Sequence, residues 1–583
     1  MASRELPTQD TQDLSTYTVL VGGEDIGGLY GLKSVMVTKT FNKIPTARII
    51  LSDGRVADQT FEVSSGDKFV PGQEIEIQAG YHKKEDPIFK GIIIRHSIKT
   101  DANASVLIVD LKDAAVAMTV GRKNKYFEEV TDSDIIEEVL GTYGGLTPEV
   151  EATEVSHLEM VQYYVTDWDF MVSRAEVNGQ LVSVDDGTVT VKKPDLSAEP
   201  LVELAYGANI VEFEAGMDAR DQYTTTKSMA WDYATQAVLE EEGADPGYEE
   251  QGNVKATELA DVLGLESYDQ VHSGKVSDQE LKAWSDAKLS RSRLSRVQGR
   301  VKTKGFPTAK PGETITFAGF GDRFNGKAFI SSVIHTITPS SGWYCDIQFG
   351  LPQDWFIDKY DNVVSRPAAG LVPPIQGLQN GIVTNIHEDP DGEFRVKVRI
   401  PVIDSQSEGV WARVAAVDAG DNRGIFFRPE IEDEVIVGFF NDDPTDPVVL
   451  GMLHSSAKAS PVTPAEENNE KGLYTKSEMK LVFDDDLVSV SVETPGGNKL
   501  VLSEDEGGIT MEDENGNKLV MSSDGIVIES AKDLVMKASG DVTIEGTNLT
   551  STAQAQYLAE GSAGAELSSG GQAVIKGALV AIN

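Results

Sequence analysis

Hydrophobic and polar positions alternate with a period of two over much of this chain, which predicts strands. Thr18-Val19-Leu20-Val21, Ala47-Arg48-Ile49-Ile50-Leu51 and Gly91-Ile92-Ile93-Ile94 are such runs. Turn signals at Ser52-Asp53-Gly54, Pro71-Gly72 and Asp86-Pro87 separate them. After a polar segment, 1–16, they predict a small β-barrel over 17–110. Over 111–200 helical signals enter and predict an α/β domain. Thr131-Asp132-Ser133-Asp134 places capping residues and acids before Ile135 to Leu140, and Asp167 to Val172 opens a second helix. A second β-barrel is predicted over 201–359, interrupted by a charged helical insertion over 227–300. In that insertion Ser277-Asp278-Gln279-Glu280 reads as a capping box. Leu281, Trp284, Ala287, Leu294 and Val297 then fall on one helical face. A linker, 360–376, precedes a compact all-β unit over 377–455. There Phe394, Val396, Val398 and Ile400 alternate with Arg395, Lys397 and Arg399, a half-buried strand. A second linker, 456–474, leads to the segment 475–583.

That last segment carries an internal repeat. Lys480-Leu481-Val482-Phe483, Lys499-Leu500-Val501-Leu502 and Lys518-Leu519-Val520-Met521 recur at a spacing of 19, and Val490, Ile509 and Ile528 keep the same spacing. Further on the period becomes 8, with Ile526, Leu534 and Val542 in one column and Ile528, Met536 and Ile544 in another. One copy of so thin a repeat has neither a helix nor a second sheet to cover its apolar stripe. The stripes meet either in a single-chain solenoid or in several chains wound together. Few large residues per turn suit a narrow shaft of several chains. Ser551 to Gly577, dominated by Ala, Ser and Gly, suits a crowded axis.

Composition narrows the partners. Of 583 residues, Lys plus Arg number 51 and Asp plus Glu 94, for a net charge of −43. Phosphate backbones and anionic lipid surfaces repel such a chain, so nucleic acid is a poor partner. The N-terminus has no basic, then apolar, signal-peptide pattern and no stretch approaches the ~18 apolar residues of a membrane span. The expectation is synthesis in the cytoplasm; if the chain leaves the cell, something else carries it.

Several segments carry a family resemblance. His157-Leu158-Glu159-Met160-Val161-Gln162-Tyr163-Tyr164-Val165-Thr166-Asp167-Trp168-Asp169-Phe170 resembles the "Q-Y-x-x-T-D-W-D-F" stretch of VgrG-type spike proteins. Pro311-Gly312 through Phe324-Asn325-Gly326, then Val333-Ile334-His335, resembles their second hub barrel. Trp411-Ala412-Arg413-Val414, Pro429, Glu434-Val435, Asp443-Pro444, Pro447 and Gly451 resemble their oligonucleotide/oligosaccharide-binding (OB) fold collar. The 8-residue repeat looks like their triple-stranded β-helix needle. One departure stands in the collar, where the family has Gly before its x-Glu-Val stretch and this chain has Glu432 nearby.

The resemblance implies a mainly β fold with α+β insertions: two hub β-barrels, an OB-fold collar and a C-terminal trimeric β-helix needle. It implies a homotrimer whose hub barrels form a pseudo-sixfold ring for a hexameric inner tube and baseplate proteins. The needle would puncture a target envelope to deliver effectors, in an apparatus that is extracellular and phage-tail-like more than type VI. Val490, Ile509, Ile526, Ile528, Leu534, Met536, Val542 and Ile544 would form the needle's trimer core. Leu579, Val580, Ala581, Ile582 and Asn583 would form a blunt apolar end that docks a PAAR-type tip protein.

No catalytic, cofactor or metal site is expected, and the chain reads as a non-enzyme. Gly321-Asp322-Arg323-Phe324-Asn325-Gly326-Lys327-Ala328 nearly spells a P-loop, but Ala328 replaces the magnesium-binding hydroxyl and a strand pattern follows. The single cysteine, Cys345, alternates with Ile347 and Phe349 as a buried thiol, and the seven histidines are scattered. Lys288, Arg291, Arg293, Arg296 and Arg300, with Lys302 and Lys304, form a basic cluster. It reads either as a solvated helix face or as a contact for an acidic protein surface. The rival function is a trimeric glycan-binding tailspike or adhesin, which would not need the segments before Gly377.

Overall fold

The computed structural model describes residues 14–582 other than Leu29 and Asn103. They fall into two units, Met1–Leu378 with Gly438–Val448, and Gln379–Val437 with Val449–Asn583.

Alternating strands in the first unit build one 13-stranded sheet. Strands between Ser15 and Lys112 wrap the fully buried Ile49, Leu51, Phe69, Ile77, Phe89 and Leu107. Strands between Glu203 and Phe349 wrap Phe317, Val333, Cys345, Ile347 and Phe349. The two halves are continuous. Strand Leu32–Thr40 pairs antiparallel with Gly326–Thr338, from Thr40 opposite Ser332 to Val35 opposite Ile337. The hydroxyls of Thr40 and Ser332, 292 residues apart, also share a 2.6 Å hydrogen bond.

The α/β part carries helices α1 (Asp132–Gly141) and α2 (Asp167–Val177). Thr131 and Thr166 cap them, accepting from the N–H of Asp134 at 3.2 Å and of Asp169 at 3.1 Å. Ile135, Ile136 and Leu140 of α1 meet Trp168, Met171 and Val172 of α2 in a separate core. The stretch resembling the VgrG motif thus acts locally. Asp167 is held by Gln162 at 2.8 Å, Tyr143 at 2.6 Å and Lys123 at 2.5 Å, fixing the entry to α2.

The segment read as a helical insertion differs in the structure. Besides α3 (Ala256–Leu263) and α4 (Asp278–Ser295) it holds strands Thr225–Asp232, Ala237–Glu242 and Ser267–His272, paired as a three-stranded sheet. The buried row of Thr225–Asp232 is Thr226, Ser228, Ala230 and Asp232, mostly polar, so no apolar alternation marks that strand in the sequence. The box at Ser277 is half formed. Ser277 accepts from the Glu280 N–H at 3.2 Å, while the Glu280 carboxylate turns away to accept from Arg174 at 3.0 Å. The P-loop lookalike is a one-turn helix, Gly321–Phe324, leading into a strand that returns along Thr314–Ala318.

In the second unit a closed five-stranded barrel is built from β1 (Gln379–Asn385), β2 (Val396–Arg399), β3 (Val410–Val414), β4 (Glu434–Phe439) and β5 (Pro447–Met452), in the order β1-β2-β3-β5-β4. Val383, Val396, Val398, Ala412, Val435, Val437 and Val449 fill it. Phe394 does not extend the buried row. Its φ is +56° and its ring is 81% exposed, so the strand starts at Val396. Glu432 has φ +71°, the left-handed conformation that glycine adopts without strain.

Seven further strands form an antiparallel meander: β6 (Glu470–Tyr474), β7 (Lys480–Asp484), β8 (Ser489–Glu493), β9 (Lys499–Ser503), β10 (Gly508–Glu512), β11 (Lys518–Ser522) and β12 (Gly525–Glu529). Strand β6 lies inside the stretch read as a linker. From Ala531 to Ile582 the chain makes no strand of its own and every described residue is exposed.

Candidate assembly surface

Directly opposed residues of an antiparallel pair share a face, as do residues two apart in one strand. The meander's register therefore places two apolar rows on a single face. One row runs Phe483, Val490, Leu502, Ile509, Met521, Ile526; the other runs Leu473, Leu481, Val492, Leu500, Met511, Leu519, Ile528. The opposite face is mixed: its middle row runs Val482, Ser491, Val501, Thr510, Val520 and Val527, and charged residues flank that row. Lys480, Glu493, Lys499, Glu512, Lys518 and Glu529 stand in one alternating cross-strand ladder there. Among the described residues much of this apolar face stays open. Phe483, Leu502 and Met511 are 46%, 44% and 47% exposed.

The 19-residue spacing holds for Val490 and Ile509, which share a row, but Ile528 belongs to the other row. The turns before β8 and β10 contain four residues, whereas Ser522 pairs with Gly525 across only Ser523 and Asp524. Two missing turn residues bring Ile526, not Ile528, into register. Past the meander, Leu534, Met536, Val542 and Ile544 are 57–70% exposed. Leu579, Val580 and Ile582 are exposed as well, and Asn583 lies outside the described residues.

The basic cluster is not a surface. Arg291 of α4 donates to the Glu176 carboxylate at 3.0 Å and to the carbonyls of Pro352 and Asp354 at 2.9 and 2.6 Å. Arg293 donates to Asp245 at 2.7 Å and to the Tyr223 carbonyl at 2.8 Å, and Arg296 to the Gln251 carbonyl at 2.6 Å. Lys288 is buried with its ammonium 4.6 Å from the Tyr268 ring centroid, and burial lowers its pKa. Only Arg300 is mainly exposed, and it pairs with Glu214 at 3.2 Å. Lys288, Arg291, Arg293 and Arg296 do not form a solvated helix face: they are largely buried at α4, and the three arginines reach carbonyls and acids of neighbouring segments.

Nucleophile chemistry has one spatial candidate. Cys345 Sγ lies 3.1 Å from His335 Nδ1, both fully buried. Burial pushes the thiol up to about 12 and the imidazole down to about 3. The pair is neutral on both sides and supplies no thiolate. Among the described residues no group of three or more His, Cys, Asp and Glu is placed to hold a metal, and no helix is long and apolar enough to cross a membrane.

Known families account for this arrangement. Residues 379–454 match the family model of a type VI secretion system/phage-baseplate injector OB domain, and 489–550 that of a phage baseplate V C-terminal trimerisation domain. The type VI secretion system spike protein VgrG4b of Pseudomonas aeruginosa is 26% identical over 235 residues, 36% of this chain and 28% of that protein. The actin cross-linking toxin VgrG1 of Vibrio cholerae is 26% identical over 263 residues, 35% of this chain and 23% of that protein. A tail protein from Neisseria meningitidis aligns at TM-score 0.44 and 14% identity, over 59% of this chain and 99% of that one. The chain spans less than a third of the length of the curated relatives it matches. These modules, in this order, define a VgrG-type spike. Residues 11–339, more than half of the chain, match the Alg8 N-terminal domain model, and the chain belongs to that family.

Proposed function

We propose that this chain is the structural spike and hub of a contractile, phage-tail-like injection apparatus, and that it works as a homotrimer. The uncovered two-row apolar face carries this reading. Exposed apolar area that large is unfavourable at roughly 25 cal/mol per Å² until a partner buries it. Three copies wound about one axis bury it and pair the free strand edges. The extended segment after Ser530, with Leu534, Met536, Val542 and Ile544 all outward, continues the shaft as an intertwined β-helix needle.

Each half of the 13-stranded sheet forms one hub barrel. Three chains then present six barrels, on which a hexameric inner tube and baseplate proteins dock. Leu579 to Ile582 seat a PAAR-type tip protein, and contraction drives the needle through a target envelope to deliver effectors. Its role is mechanical and not enzymatic, within a particle acting outside the producing cell. Light scattering of the purified chain tests the reading. A mass near three times 63.0 kDa is expected, and a folded monomer would overturn it in favour of a single-chain solenoid.

A further inference from the structure

The first unit holds a cavity of about 370 Å³ that a mechanical role leaves unused. Strand Gly326–Thr338 lines it with Ala328 and Phe329, and the end of α4 with Leu294 and, one residue past the helix, Arg296. Most of the rest comes from residues 245–255, a stretch without helix or strand that leads into α3. That stretch is tied to the barrel: the Gln251 amide donates to the Phe324 carbonyl at 2.7 Å and the Gly252 N–H to the Asn325 carbonyl at 2.9 Å. Leu294 and Val297 enter the core on either side of Arg296. The arginine is thereby held inside, at the junction of helix and strand.

Charge is spread unevenly around this cavity. The side chains of Arg296, Arg293 and Lys327 are 4%, 6% and 14% exposed, whereas those of Glu250, Asp245 and Glu249 are 30%, 51% and 67% exposed. The cations face inward and the acids lie toward solvent. Arg293 and Lys327 pair with Asp245 and Glu249 at 2.7 and 3.1 Å. Arg296 has no such partner. Glu250 is 3.9 Å from it and accepts instead from the Ala256 N–H, at 2.8 Å, where α3 begins. A guanidinium carries five N–H groups. Arg296 gives one each to the carbonyls of Gln251, at 2.6 Å, and Val254, and the other three have no partner among the described residues. Burial lowers its pKa, opposed by Glu250. A buried cation without a close counter-ion is unfavourable, and a bound anion relieves it.

We propose that this cavity binds a small carboxylic acid with an apolar body: the Arg296 guanidinium holds the carboxylate, and the body lies against Leu196, Tyr248, Leu294 and Phe329. The volume falls within the roughly 300–1,000 Å³ of small-ligand sites, which are mostly apolar with a few placed polar groups. A planar guanidinium matches a carboxylate through two parallel hydrogen bonds. Asp245, Glu249 and Glu250 oppose a multiply charged anion such as a nucleotide, whereas Arg296 offsets a single carboxylate. A bound acid joins residues 245–256 to α4 and to the barrel, and so stiffens this part of the hub.

The test is calorimetric titration of the purified full-length protein with octanoate, octanol and octyltrimethylammonium. One saturable octanoate site per chain, at least tenfold tighter than any octanol binding, is expected, with a higher melting temperature at saturation. R296M should weaken octanoate tenfold or more. R300M, whose exposed guanidinium pairs with Glu214 at 3.2 Å, should leave it unchanged. E250Q removes the competing charge but keeps an acceptor for the Ala256 N–H. It should tighten octanoate at least threefold, a gain that misfolding cannot mimic. Absence of saturable octanoate binding, octanol binding as tight as octanoate, or tighter binding of the ammonium would each overturn the proposal; these comparisons need no variant. So would octanoate binding that R296M leaves unchanged, since the ligand would then sit on the open apolar face of the meander, or binding that E250Q weakens.

Discussion

Arg291 of α4 donates to Glu176 of α2 at 3.0 Å, with the two side chains 13% and 2% exposed. Burial raises the Glu176 pKa, opposed by Arg291, by the Phe356 N–H at 2.6 Å and by Asn42 at 2.8 Å. Removing one partner strands the other charge, at a typical cost of about 3–5 kcal/mol. Glu176→Ala and Arg291→Ala should each lower stability by that order in urea titrations. Glu176→Leu with Arg291→Met should cost less than the sum of the two. A loss below about 1 kcal/mol for either single change would mean the pair contributes little.

Val488 and Glu432 are among the non-glycine residues that sit where glycine is favoured. Val488, at φ +45°, ends the four-residue turn before β8; Gly507, at φ +69°, ends the equivalent turn before β10. A β-branched residue there is strained. Val488→Gly should stabilise the meander by about 1 kcal/mol, and Glu432→Gly the collar by somewhat less, after the entropy glycine adds to the unfolded chain. Gly507→Val should do the reverse. Calorimetric melting temperatures decide the matter, and an unchanged or lower value for Val488→Gly would contradict the strain argument.

Leu500 and Met511 are cross-strand neighbours on the apolar face. In an isolated chain, glutamate at either position would be nearly neutral. Buried between copies it is strongly unfavourable. The Leu500→Glu/Met511→Glu double variant should sediment as a smaller species, while hub tryptophan fluorescence stays native. Retention of the parental mass would show that another surface holds the copies together.

His335 gives stability a pH dependence. Burial, with Lys39 and Lys310 opposed by Asp185, lowers its pKa to about 3 against an ordinary 6.5. Between these values the unfolded chain binds a proton that the folded one does not. Stability is therefore lost as pH falls from about 6.5 toward 3, by up to about 1.4 kcal/mol per unit. Comparing His335→Gln with the parent isolates this group from the carboxylates. The variant should be less stable at pH 7 but lose less between pH 6.5 and 4.5. Parallel curves would rule out the contribution.

Local order was legible in the sequence because its causes lie within a few residues. The period-two strands, the caps at Thr131 and Ser277, and the repeat at Lys480, Lys499 and Lys518 follow from side-chain alternation and short-range hydrogen bonds. Family membership was legible for a similar reason, through stretches such as Gln162 to Phe170. The alternation also marks which face of the meander is apolar.

What only the tertiary structure decided is which partner meets which face. Leu32–Thr40 could pair with any of several apolar strands, and its choice of Gly326–Thr338 depends on closing a loop of nearly three hundred residues, an entropic cost that local pattern does not encode. Nor does helical periodicity reveal that Arg291 points into an enclosed interior. The shortened turn at Ser523-Asp524 shifts Ile526 into the row that spacing alone gave to Ile528. Trp411 meets Lys397 only when β2 and β3 pair, because residues fourteen apart in sequence become neighbours through the register of hydrogen bonds. Sequence by itself determined the elements and their apolar sides; packing decided their partners, since burial is a property of the pair and not of either strand alone.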